Sequence, residues 1–209
     1  MTHMEMTVHE ALCKLKVLAK RINTNGDWVL AAKASDKKIG GVDIADMKAD
    51  IVSRYDEVTA LIKEMNAIKK AISKYNAETI INVAGMEMSV AEAIYMKDFG
   101  IDYDKSLLQS LKQSYALTTK AISRFNGEDL DARTEKFISA TFGSKEKASA
   151  DEIEKAMKMF KENNSFVLID PLKIQEKIKE LEDRITAFDA SVDSAIQIAN
   201  ATHVIAIDI

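Results

Sequence analysis

"KYNAETIINVAG" (Lys74–Gly85) returns in outline at the far end of the chain as "IANATHVIAIDI" (Ile198–Ile209). Each copy passes through an Asn-Ala pair, Asn76-Ala77 and Asn200-Ala201, and then alternates β-branched residues. Aligning Asn76 with Asn200 also places Ala71 on Ala195, Ile72 on Ile196, Ile81 on Ile205 and Val83 on Ile207. A helix that ends this way hands over to a strand, because β-branched side chains suit a pleated surface. A lone strand in water leaves its backbone unpaired and is marginal, so two strands leaving neighbouring helix ends are expected to pair. The segment "MEMSV" after Gly85 offers a third partner. The chain is therefore read as mainly α: an elongated antiparallel helical bundle with a small β-sheet formed by the 78–84 and 202–208 segments.

Helix starts are sharply marked. Thr7-Val8-His9-Glu10, Ser89-Val90-Ala91-Glu92 and Ser149-Ala150-Asp151-Glu152 fit the capping box, in which a hydroxyl and a carboxylate satisfy orphan amides reciprocally. Asp170-Pro171 suggests a fourth start, with Asp as N-cap and Pro in the first helical position. Periodicity predicts a first helix over Val8–Ile22 and a second over Val42–Tyr75, with Ile44, Met47, Ile51, Tyr55, Val58, Ile62, Met65, Ile72 and Tyr75 along its seam. At about 1.5 Å per residue the second helix would be on the order of 50 Å long, the dimension of a rod. A third helix begins at Ser89 and reaches Phe125, with Gly100 a place to kink; Asn126-Gly127 would end it in a left-handed conformation. The last runs from Leu172 to about Ala199, and "SFVLID" (Ser165–Asp170) is a further strand candidate. Residues 1–126 and 165–209 thus make a helical rod with its sheet, and 127–164 a short helical side lobe.

Only seven Gly and one Pro occur in 209 residues, which suits long uninterrupted helices. The net charge of −4 argues against general nucleic-acid binding, yet leaves room for a small anion held by a few local cations. Cys13 has no partner for an internal disulfide, which fits a reducing cytosol, and is read as a structural thiol. No apolar run approaches the roughly 20 residues that span a bilayer, and the start lacks signal-peptide regions. A soluble, cytoplasmic protein with no membrane partner is expected.

No catalytic constellation emerges. His9 and Cys13 stand four apart on one helix, but two ligands do not make a zinc site, and no metal or cofactor is expected. "DFG" at Asp98–Gly100 lacks every other kinase element, and "NGEDLD" at Asn126–Asp131 lacks EF-hand spacing. The ten Met residues read as core filler, His3 as part of an unstructured start. One cluster stands out. "KRINTNGDWVLAAK" gathers Lys20, Arg21, Asn23, Asn25, the only Trp (Trp28) and Lys33. Such groups hold phosphates, read polar edges and stack on bases. They equally describe a helix C-terminus whose cations complement the dipole and whose Trp anchors a loop. A second polar group, Asn76, Thr79, Glu92 and Lys97, surrounds the strand junction.

The pattern of "SKYNAETIINVAGMEMSVAEAIYMKD", "IDPLKIQEKIKELEDRI" and the closing "NATHVIAIDI" resembles small helical proteins encoded by bacteriophages. Its centre is also similar to septicolysin-like bacterial helical proteins, whose Arg-x-x-x-Asn element Arg21 and Asn25 match, although "DWVLAAK" follows here. Similar phage-encoded oligomers include the Sequestin and Lockin type sponges. That resemblance implies a non-enzymatic homo-oligomer in the host cytoplasm that withholds a nucleotide immune signal of the cyclic ADP-ribose type, a Thoeris inhibitor. In pockets formed where subunits meet, it would place Arg21 with Lys97 or Lys33 on pyrophosphate, Trp28 or Tyr95 on adenine, and Asn25, Asn76 and Glu92 on ribose or base edges, with Thr79 beside them. The alternative is a virion or assembly protein acting through self-association.

Overall fold

Hydroxyl–carboxylate pairs set helix starts in the computed structural model, which describes residues 3–24, 28–143 and 149–209. Thr7, Ser89 and Ser149 each accept from the amide three residues on, while Glu10, Glu92 and Glu152 reach back to the cap amide, so all three capping boxes form. They open helices α1 (Val8–Asn23), α3 (Val90–Tyr95) and α6 (Ala150–Asn164). The remaining helices are α2 (Ile44–Glu78), α4 (Ile101–Asn126), α5 (Glu128–Phe142) and α7 (Ile174–Thr202). Strands β1 (His3–Thr7), β2 (Lys38–Ile39), β3 (Val42–Asp43), β4 (Ile80–Val83), β5 (Met86–Ser89) and β6 (Val204–Asp208) form two-stranded antiparallel sheets. The fold is mainly α with small β-sheets.

The pairing corrects the expected sheet. The 78–84 and 202–208 segments both contain strands, but not paired with each other: β4 pairs with β5 and β6 with β1. Ala84 and Gly85 lie at φ 52° and 85°, the two left-handed residues of a tight hairpin turn, and the Gly85 amide donates to Asn82 Oδ1 at 3.0 Å. So short a connection closes β4 on β5 before a distant strand can compete. The free edge of β6 is taken by His3–Thr7, in register from His3 opposite Asp208 to Thr7 opposite Val204, so His3 lies in a strand and not in an unstructured segment. Alternation is as expected: Ile81, Val83, Ile205 and Ile207 are all buried.

The two sheets are versions of one unit. "MEMTVHEAL" (4–12) and "MEMSVAEAI" (86–94) agree at both Met, both Glu, Val and Ala. Val8 and Ala11 are buried, as are Val90 and Ala93. The Val90 amide donates to the Thr79 carbonyl at 3.0 Å, and Val8 to His203 at 3.1 Å. Thr79 and His203 in turn donate to the carbonyls of Tyr75 and Ala199, closing each preceding helix alike. Helix–strand–strand–helix therefore occurs twice: once continuously as α2–β4–β5–α3, once assembled from the two ends of the chain as α7–β6–β1–α1.

The described residues divide into two compact units, Met1–Phe99 with Ala187–Ile209, and Gly100–Thr186. The boundaries differ from the expected side lobe at 127–164: α4 packs on α5 and α5 on α6, and the first part of α7 is joined to α4 by ion pairs of Glu182 with Lys112 and of Arg184 with Asp104. The first unit is built around Ile68, Val83, Phe188 and Ile207, all nearly inaccessible. Within α2 the buried positions are Leu61, Ile68 and Tyr75, a seven-residue repeat, whereas Tyr55 and Ile62 from the expected seam are exposed. None of the described Met side chains is fully buried; Met4, Met6, Met86 and Met88 are half-buried on the sheets.

In the second unit, Leu130, Thr134 and Ile138 bury one face of α5, and Phe137 stacks on Phe160 of α6 at 4.5 Å between ring centres. Both polar atoms of the Asn126 amide bind the Phe166 backbone, at 2.7 and 2.8 Å. That clamp holds Ser165–Asp170 without a strand partner, contrary to the expected strand. Three other expectations change in detail. The kink near Gly100 is a π-helical turn over Met96–Gly100. Gly127, at φ −88°, is not left-handed. Asp170 accepts the Ile174 amide at 2.9 Å, so α7 starts three residues beyond Pro171.

Candidate functional site

Helix α1 packs antiparallel on α2. Lys14 meets Glu64 at 2.5 Å and Arg21 meets Glu57 at 2.7 Å, so seven residues forward on α1 match seven back on α2. Near the end of α1 the helices leave a cavity of about 510 Å³, lined by Lys20, Arg21, Thr24, Arg54, Glu57, Val58 and Leu61. Three cations and one carboxylate stand over an aliphatic floor. The C-terminus of a helix carries partial negative charge, which would oppose an anion. Here that end is partly covered: the Thr24 hydroxyl donates to the Lys20 carbonyl at 2.7 Å and the Thr24 amide to the Arg21 carbonyl at 3.3 Å.

The guanidinium groups are held but not locked. Arg21 pairs with Glu57, and Arg54 with Asp50 one turn earlier on α2. All four side chains are about half exposed, and such ion pairs contribute at most about 1 kcal/mol. A phosphate, which accepts charge-assisted hydrogen bonds and suits the guanidinium fork, can displace a carboxylate from a pair this weak. Lys20 has no ion-pair partner among the described residues. Beside Arg54, the ring of Tyr55 meets Trp28 edge-on at 6.4 Å. Trp28 is thus partly exposed against a helix surface and does not anchor its loop in a core.

The expected ligand residues fall into separate places. Arg21 lines the cavity, Trp28 does not line it and meets Tyr55 edge-on, and Asn25 lies outside the described residues. Lys33 is exposed in a turn in which its amide donates to the Asp36 carboxylate. Asn76 and Thr79 sit at the other end of α2, nineteen residues or roughly 30 Å along the helix from Glu57. Glu92 is committed to its cap; the Ser89 amide and hydroxyl hold its carboxyl below the usual carboxylate range. Lys97 is tied to Asp193 at 2.5 Å, and that hydrogen bond raises its pKa. Tyr95 is exposed beside Phe99, ring centres 6.1 Å apart. The two clusters do not share a pocket within one chain.

A smaller cavity at the strand junction, about 240 Å³, takes other residues: Lys74, Tyr75, Glu78 and His203 with the start of β6. Tyr75 packs against the His203 ring at 4.7 Å, and burial pushes its phenol pKa up. The exposed thiol of Cys13 lies 3.8 Å from His9 Nε2. Among the described residues no group of three or more His, Cys, Asp or Glu is placed to hold a metal ion, and no helix is long and apolar enough to cross a membrane.

Of the polar groups that line the cavity, Thr24, Arg54 and Glu57 were not singled out from the sequence. Arg54 is the only Arg in α2, and that was the available signal. No family model, curated protein or solved structure matches the chain.

Proposed function

We propose that this protein captures a nucleotide-derived immune signal of the cyclic ADP-ribose type and withholds it unaltered, acting for a phage in the host cytoplasm against a Thoeris-type defence. The observation that carries the binding part is the cavity between α1 and α2, where Lys20, Arg21 and Arg54 surround an aliphatic floor; Tyr55, which meets Trp28, is the residue after Arg54. Cations that can release their carboxylates suit a pyrophosphate, and exposed aromatic faces suit a purine. The phage origin and the signal class rest on the sequence resemblance alone. Mixing the protein with a cyclic ADP-ribose isomer and filtering should deplete the free ligand, and heating the retained protein should return it chemically intact. Undiminished free ligand refutes capture; a converted product refutes a non-enzymatic role.

A second reading, a virion or assembly protein that works by self-association, draws on the exposed apolar run Phe166, Val167, Leu168 and Ile169 with Leu172. Its distinguishing sign is the protein's presence in purified particles by mass spectrometry.

A further inference from the structure

Arg54 lines a second cavity as well as the first. This one, about 410 Å³, has an apolar wall of Leu30, Val42, Met47 and Ile51 and two carboxylates, Asp46 and Asp50. On α2 the first cavity takes residues 54 to 61 and the second 46 to 54. Their midpoints are about eight residues apart, hence roughly 12 Å along the helix, the scale of one nucleotide. The chemistry changes along that distance. One side of Arg54 offers Lys20 and Arg21, donors for an anion; the other offers aliphatic surface edged by acceptors alone. No ion pair or hydrogen bond engages the Asp46 carboxylate among the described residues, and the Asp50 carboxylate faces Arg54 itself.

We infer that the two cavities are one bipartite site with Arg54 at its waist, taking the diphosphate of a nucleotide on the Lys20–Arg21 side and an amino-bearing base on the Leu30–Met47 side. This deepens the proposed function and rests on it. The division follows from complementarity. A carboxylate beside a flat apolar wall accepts an N–H from an exocyclic amine and repels a ring carbonyl in the same place. The site therefore distinguishes adenine from hypoxanthine, while the phosphate half does not. Arg54 contributes to both halves: as it turns to the diphosphate it releases Asp50, which becomes free to accept from the base. Phosphate and base are thereby coupled, and the ligand carrying both gains over either part, because the second half binds at high effective concentration.

Calorimetric titration of the full chain with ADP, IDP, inorganic pyrophosphate and adenosine tests this directly. ADP should bind at least tenfold more tightly than pyrophosphate or adenosine and about tenfold more tightly than IDP. Asp46→Asn, an exposed change on a helix surface, should bring IDP within about threefold of ADP and leave pyrophosphate unaltered. Arg54→Gln should weaken ADP and pyrophosphate together. If ADP binds no better than pyrophosphate, the base subsite is refuted while an anion site stands. If ADP and IDP bind alike in both the parent and Asp46→Asn, the role of the carboxylates is refuted. Binding of none of the four removes the bipartite site; depletion of a cyclic ADP-ribose isomer in the filtration experiment would still uphold capture by another surface.

Discussion

At the scale of single residues, three helix starts are each closed by one carboxylate, Glu10, Glu92 and Glu152. Each is held below its ordinary value of 4.5, first by the backbone amide of its N-cap residue and then by that residue's hydroxyl. A carboxyl whose pKa is depressed by folding stabilises the folded state fully above the unfolded value; that contribution disappears as pH falls through the depressed one. Acid should therefore begin to loosen these helix starts only below about pH 4.5. Ser89→Ala removes the acceptor for the Glu92 amide and should cost about 1 kcal/mol in urea unfolding at neutral pH. Glu92→Gln keeps the shape and removes the titrating group. Its unfolding midpoint should lie below that of the parent at pH 6 and converge with it toward pH 3. A gap that persists at pH 3 would mean the carboxylate acts through something other than its charge.

Among the elements, the β4–β5 hairpin shows what was legible in the sequence and what was not. Both strands and the Gly85 turn could be read locally, since β-branched alternation and a Gly at a hairpin corner are short-range signals. The partner of β6 could not, because it lies at the opposite end of the chain and is recognised only once "MEMT" is seen to repeat "MEMS". Helix starts were legible for the same local reason. The buried face of α2 was not: over thirty-five residues apolar side chains occur on several faces, and packing selects Leu61, Ile68 and Tyr75 while leaving Tyr55 exposed beside Trp28. Arg21 and Trp28 announced themselves by type; Arg54 and Glu57 become site residues only through the antiparallel docking of α1. The turn also carries a correctable strain. Ala84 is left-handed at φ 52°, a conformation that Asn tolerates better than Ala. Ala84→Asn should stabilise the chain by roughly 0.5–1 kcal/mol, read as a higher melting temperature. No change or a fall would show that the turn's conformation is not the one described.

The whole molecule is best understood through its doubled unit. Where the continuous copy has the turn Ala84-Gly85 between β4 and β5, the assembled copy has the two ends of this chain, with His3 opposite Asp208 and their side chains joined at 2.8 Å. Cross-strand partners stand about 5 Å apart, so a link of a few residues spans them without strain. If both copies are the same folding unit, their connectivity can be exchanged. Joining the C-terminal end to the N-terminal end and opening the chain between Ala84 and Gly85 makes β6–β1 the local hairpin and β4–β5 the pair that closes across the ends. Tethering the new hairpin lowers its closure entropy, and opening the old one raises it by a similar amount, since that term depends only weakly on length. The permuted chain should therefore show the helical circular dichroism of the parent and a single cooperative thermal transition within a few degrees of it. The residues buried in each unit, Val8, Ala11, Ile205 and Ile207 in one and Val90, Ala93, Ile81 and Val83 in the other, are unchanged by the exchange. A permuted chain that melts without cooperativity would show that β4–β5 must be continuous to direct folding, and that the resemblance between the units stops at their sequence and hydrogen bonds.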